Sequence, residues 1–313
     1  MEKVGLARGN RSYDAVRGAL ELISDDVHIP PDLPVLIKTN MVMPMVKLAA
    51  TPVQAVQAIM DFLMEMGVKK FIVAEGTSAG ANTMDVFERF GYFSLKERYD
   101  VEFRDLNQDK CVKFKVFGMN LEPVTIRLAR SFLNCYLVSA APMKTHRLVA
   151  ATLTIKNVAI GFILDPDRQP NHGGLVSHDI KDLNLSITRL AQAIVPHLAV
   201  VDGVVGAQGN APVDGTPIAS GVAVAGTNAL AVDLVGTQLM GFDPRTVGYL
   251  WYLSQLKNLA FEHIQVLGED VSQCITKYEA PDNYAEILGW WVEDWHKYVE
   301  EKYPNYNLKP SGT

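Results

Sequence analysis

Cysteine is scarce in this sequence. Cys111, Cys135 and Cys274 are the whole complement, far apart and with no C-x-x-C pair. So few thiols, odd in number, argue against a disulfide framework and for a reducing compartment. They also fall short of the four thiolates that hold an iron–sulfur cluster, so no iron–sulfur cluster is expected. Basic charge is short as well: 29 Lys and Arg stand against 35 Asp and Glu, for a net charge of −6. Nothing here supplies the basic stripe that a nucleic-acid partner requires. Long apolar runs are missing too. No run approaches the roughly 18 residues that would span a bilayer. The opening MEKVGLARGNRSYDAV lacks the apolar core of a signal peptide. No membrane partner is therefore expected, and a cytoplasmic location is.

What is present is a core-forming chain: 48% of its 313 residues are hydrophobic. Apolar strand-like runs at 34–38, 69–76, 131–142, 197–203 and 220–226 alternate with stretches of helical period at 12–24, 53–67, 179–195 and 228–241. Thr51 before Pro52 reads as a helix start with a capping hydroxyl. The run 148–161 is ambiguous in period and leans to helix. An outer strand is expected at 264–270, and an aromatic-rich helix at 282–302 carrying Trp290, Trp291 and Trp295. This alternation predicts an α/β fold, a mostly parallel sheet flanked by helices. The expected core is 1–280, open to division into two closely packed lobes near 120–145. Residues 281–313 form a C-terminal helix and tail.

Ligands of open parallel sheets bind beyond the carboxyl ends of the strands. Four runs end there in polar clusters. PVLIK runs into Lys38, Thr39 and Asn40. FIVAEG ends in Glu75, Gly76 and Thr77. The third inner run exits at Lys144, Thr145 and His146, and HLAVVDG ends in Asp202 and Gly203. The segment MKTHRLVAATLTIKN adds Lys156 and Asn157 to an apolar stretch, where a lysine must reach water or an anion. Alternating strand geometry turns Lys144 and His146 to one side and Thr145 to the other. These residues predict one cleft for a small anionic ligand. Lys38, Asn40, Thr77, Lys144, Lys156, Asn157 and Gly209 would bind it; the last lies in the glycine-rich loop GAQGNAPVDG, whose backbone N–H groups could cradle an anion. His146, Glu75, Asp202 and His178 would do acid–base chemistry. His172 and His178, six apart in a Pro/Gly-rich loop, are candidate ligands for a divalent metal. Asp233, mid-helix among apolar residues, needs a partner or a cleft.

Several pieces recur in one order: IKTN (37–40), AEG (74–76), PMKTH with TLTIKN (142–157), His178, VVDG (201–204), GNAPVDG (209–215) and the AVD…MGFDP run (231–244). In these the sequence resembles domain-of-unknown-function family number 362, a largely prokaryotic family of mostly undefined activity. The resemblance covers most of residues 34–245. Many members carry a cysteine-rich ferredoxin module, which this sequence lacks. The resemblance implies the cleft and names no reaction. Two functions stay open. One is an enzyme on a small carboxylate or phosphate metabolite: a lyase, isomerase or racemase moving a proton beside a carboxylate, or a metal-assisted hydrolase. The other is a non-catalytic protein holding a cofactor or anion for a redox partner protein. A homo-oligomer is open as well.

Overall fold

The computed structural model describes residues 1–78, 80–168 and 174–299. One nine-stranded sheet runs through it. Its strands are β1 (Glu2–Arg8), β2 (Val35–Lys38), β3 (Lys70–Glu75), β4 (Asp100–Asp105), β7 (Tyr136–His146), β8 (Ala150–Thr152), β9 (Leu198–Asn210), β10 (Asp214–Gly226) and β11 (Ile264–Gly268). Strands β5 (Cys111–Phe117) and β6 (Pro123–Ala129) make a separate antiparallel pair. The sheet order is β11-β1-β10-β9-β7-β2-β3-β4, with β8 folded back on β7. From β9 to β4 every neighbour is parallel; the β9–β10 and β10–β1 pairs are antiparallel. The fold is thus α/β, mostly parallel, and flanked by helices.

The principal helices are α1 (Ser12–Glu21), α2 (Val53–Glu65), α3 (Thr83–Arg89), α4 (Thr154–Gly161), α5 (Asp165–Arg168), α6 (Ile180–Ala193), α7 (Ala229–Leu239) and α8 (Gly248–Lys257). Because strand side chains alternate, each inner strand feeds two cores. Val35 and Ile37 join α1, α2 and α3 on one face, while Leu36 joins α4, α6 and α7 on the other. Helix α1 lies hard against β1: a Cβ on Gly5 would come 2.2 Å from the carbonyl oxygen of Ala19. Gly5→Ala should therefore cost about 1–3 kcal/mol through overpacking. Urea denaturation would measure it, and a loss below about 0.5 kcal/mol, the range of inert surface changes, would show that α1 slides freely.

Four expectations change. The 148–161 run is a short strand, β8, then helix α4; Ala150 takes a left-handed φ of 63° at the reversal, so neither period extends across the run. The glycine-rich "loop" is the far end of a β9–β10 hairpin, paired from Asp214↔Asn210 to Gly226↔Ala199 with a register shift between Ala219 and Val222. Among the described residues the tail is two short helical turns, not one long helix. There Trp290 and Trp295 pack with Tyr252, Leu185 and Phe117. Finally, Thr51 caps no helix. Its hydroxyl accepts from Asn40 N (2.8 Å) and donates to Ala140 O (2.7 Å), tying the exit of β2 to β7. Among the described residues no helix is long and apolar enough to cross a membrane.

Candidate functional site

Strands β3, β2, β7 and β9 are adjacent and parallel, so their carboxyl ends open on one side. A cavity of about 500 Å³ lies there. Lys38, Asn40, Glu75, Lys144, His146, Lys156, Asn157 and His178 all line it. Lys144 and His146 face it together, while Thr145 turns away and donates to Gly209 O (2.7 Å).

The floor is a saturated polar frame. Lys38 Nζ donates to Thr39 O (2.6 Å), Glu75 Oε1 (2.6 Å) and Asn157 Oδ1 (3.4 Å). An ammonium has three protons, and all three are used. Burial pulls this ammonium toward neutrality, and Glu75 opposes that. Glu75 also accepts from Gly76 N (2.8 Å) and Met41 N (2.7 Å). Asn157 Oδ1 takes a second bond from Asn40 Nδ2 (3.0 Å), and its own amide donates to Lys38 O (3.2 Å) and Ser139 Oγ (3.1 Å). Lys38 and Glu75 thus hold each other and the strand exits.

Helix α4 presents Lys156 and Asn157 because its first turn is pinned from below. Asp233 of α7 accepts from Thr154 N and Ile155 N, both at 2.9 Å, and from the Thr154 hydroxyl. Burial pushes this carboxyl up to about 7. This is the partner that Asp233 required.

The cavity wall is cationic. Lys144 Nζ donates to Asn40 Oδ1 and to Ala49 O (2.9 Å). Lys156 Nζ lies 3.1 Å from His146 Nε2. Burial lowers both lysines to about 7, with neighbouring Lys156 acting on Lys144 and Arg168 acting on Lys156. Burial and then Lys156 and Lys144 hold His146 well below its ordinary pKa. The ring nitrogens of His146 contact Leu148 N and Lys156, and among the described residues no carboxylate meets them. His178 Nδ1 is 3.3 Å from Val176 O, and burial lowers it as well.

Three assignments leave the cavity. Asp202 sits mid-strand because β9 continues to Asn210. It is buried beside Ser12 and accepts from Val204 N (3.0 Å), and burial raises its pKa. Thr77 is fully buried and donates to Ala81 O (2.9 Å), stitching the turn before α3. Gly209 N donates to Glu279 O (2.9 Å), so it has no proton for a ligand. His172 lies outside the described residues. Among the described residues no group of three or more His, Cys, Asp or Glu could hold a metal.

Sequence reading missed Arg168, which lines the cavity, is 7% exposed and donates to Gly76 O (2.8 Å) and Thr77 O (3.1 Å). Among the described residues its buried Nε makes no hydrogen bond. The signal was DPDR, an acidic start with proline next. Asp165 accepts from Gly80 N (3.0 Å), and Asp167 binds Arg127 through both oxygens, which fixes the turn that aims Arg168.

The chain is similar to other known proteins. Thylakoid-associated protein sll1697 of Synechocystis is 24% identical over 196 residues, which are 62% of this chain and 58% of that protein. The lactate racemase apoprotein of Thermoanaerobacterium thermosaccharolyticum superposes with a TM-score of 0.45 at 11% identity, over 75% of this chain and 56% of that one. The chain thus spans little more than half the length of either. The model of the family described as domain of unknown function, DUF362, matches residues 35–238, which run from the start of β2 to the penultimate residue of α7 and include every cavity residue from Lys38 to Val213. That match covers well over half of the chain, which therefore belongs to the DUF362 family.

Proposed function

We propose that this protein is an enzyme that binds a small carboxylate or phosphate metabolite in the strand-end cavity and moves a proton on it. The charge of the lining carries the reading. Among the described lining residues, Lys38, Lys144, Arg147, Lys156 and Arg168 stand against one carboxylate, Glu75, which is already committed to Lys38. Uncompensated buried cations are costly and favour an anionic occupant. Lys144, Lys156 and the unpartnered Nε of Arg168 would hold the anion, and His146 or His178 would transfer the proton. That no carboxylate among the described residues orients His146 favours a second reading, a protein that holds an anion without turning it over.

Both readings require anion binding, and its pH dependence is specific. Lys144 and Lys156 titrate near pH 7, so binding above that pH must take up protons. Each proton taken up lowers affinity by about tenfold per pH unit. Sulfate does not titrate in this range. Its affinity, followed by calorimetry, should fall more than about tenfold between pH 6.5 and 8.5, with proton uptake at the upper end. Lysines of ordinary pKa, near 10.4, would give a flat profile. A flat profile, or sulfate binding untouched by Lys144→Met, would remove the anion site.

A further inference from the structure

The hydrogen bonds of His146 fix where its proton sits. Its Nδ1 accepts the Leu148 N–H at 3.2 Å, so that nitrogen carries a lone pair. A neutral imidazole has one N–H, which must then be on Nε2. Nε2 faces Lys156 Nζ at 3.1 Å. An ammonium there would set donor against donor with no acceptor between them. The contact is a hydrogen bond only if Nζ has a lone pair and receives the Nε2 proton. The surroundings agree: Lys156 makes no ion pair among the described residues, and burial and Arg168 both act on it to release its proton. Lys38 differs in this respect, because three acceptors hold its charge.

We propose that Lys156 is a nucleophilic amine that forms an imine with an anionic carbonyl compound, such as a 2-oxo acid or an aldehyde acid, whose carboxylate lies against Lys144 and Arg168. This rests on the anion-site reading above and narrows its substrate class. A desolvated lysine is a common imine former. The step balances without a redox partner. The Nζ lone pair forms a bond to the carbonyl carbon, and one of the two Nζ protons passes to the carbonyl oxygen to give a carbinolamine. His146 Nε2–H then gives its proton to the departing hydroxyl, the C–O bond breaks, and water leaves. The second Nζ proton passes to His146 Nε2 and restores the ring, leaving the neutral imine.

The test is reductive trapping on the intact protein. Glyoxylate serves as the anionic probe, acetaldehyde as the neutral one and cyanoborohydride as hydride donor, with adducts mapped by peptide mass spectrometry. Glyoxylate should label Lys156 at least tenfold faster than any other lysine at pH 7. The rate should rise through pH about 7, where Lys156 titrates. Sulfate should protect, and acetaldehyde should show no such preference. Lys156→Arg, which keeps the positive charge but cannot form an imine, should lose the adduct. Labelling spread over exposed lysines such as Lys70, or centred on Lys144, would overturn the assignment. If sulfate still binds in that case, the anion site survives and only the nucleophile is wrong. If sulfate neither binds nor protects, both fall.

Discussion

Glu75→Ala should destabilise the protein by about 3–5 kcal/mol, because removing one member of a buried ion pair strands the other. The Lys38–Glu75 contact is 2.6 Å, with side chains 1% and 4% exposed. Alanine would leave Lys38 with two acceptors in place of three. It would also orphan the Met41 and Gly76 N–H groups, which donate to the same carboxylate. On the side of α4 the ammonium is closely packed, since a Cβ on Gly161 would stand 2.6 Å from Nζ. A loss of this size is a large part of the roughly 5–15 kcal/mol that holds a domain together. The pair itself contributes much less than its breakage costs. Lys38→Met combined with Glu75→Gln removes both charges and keeps an acceptor for the backbone. The double variant should therefore regain at least half of the loss. Urea denaturation of the two single variants and the double gives the cycle. Losses that simply add would show that the pair is not coupled, and Lys38 would then return to the list of anion ligands.

The sequence made the site legible because strand ends can be read from apolar runs, and the runs at 34–38, 69–76, 131–142 and 197–203 are adjacent parallel neighbours. Lys38, Glu75, Lys144 and His146 follow from that alone. What failed was where a strand stops. Pairing of β9 with β10 extends both to 13 residues, and no local apolar signal marks that extension. Asp202, read as a tip residue, is consequently mid-strand, and Gly209, read as a loop donor, is spent on Glu279. β4 and β6 went unread because exposed residues alternate along them, Asp100 and Glu102 in β4 and Pro123, Thr125 and Arg127 in β6, so neither shows an apolar run. Arg168 was hidden for another reason. Its place depends on Asp167 meeting Arg127, forty residues earlier, and on Asp165 meeting Gly80. Contacts of that range are fixed by tertiary packing and have no local signature.

His146→Gln should leave the protein folded and sulfate affinity nearly unchanged, yet lower turnover by about 10²–10⁴-fold, the usual contribution of a positioned acid–base group. Glutamine keeps much of the size and can still donate to Lys156 or accept from Leu148 N. It cannot exchange a proton between two ring nitrogens. The ring of His146 is neutral at ordinary pH because burial and the charges of Lys156 and Lys144 oppose its protonation. It can therefore give up its Nε2 proton and take it back while the Leu148 N–H holds Nδ1. A substrate-independent assay is available: deuterium incorporation from D₂O at the carbon beside the carboxylate, followed by NMR over a panel of short 2-hydroxy and 2-oxo acids. Wild-type protein should exchange at least one of them, and the variant should lose that exchange at matched sulfate affinity. A purely structural histidine would instead lower stability and affinity together. Full exchange in the variant would move the proton-transfer role to His178, which lines the same cavity and whose pKa is also lowered by burial. Exchange absent from the wild type across the whole panel, with sulfate binding intact, would favour a protein that holds its anion without chemistry at that carbon.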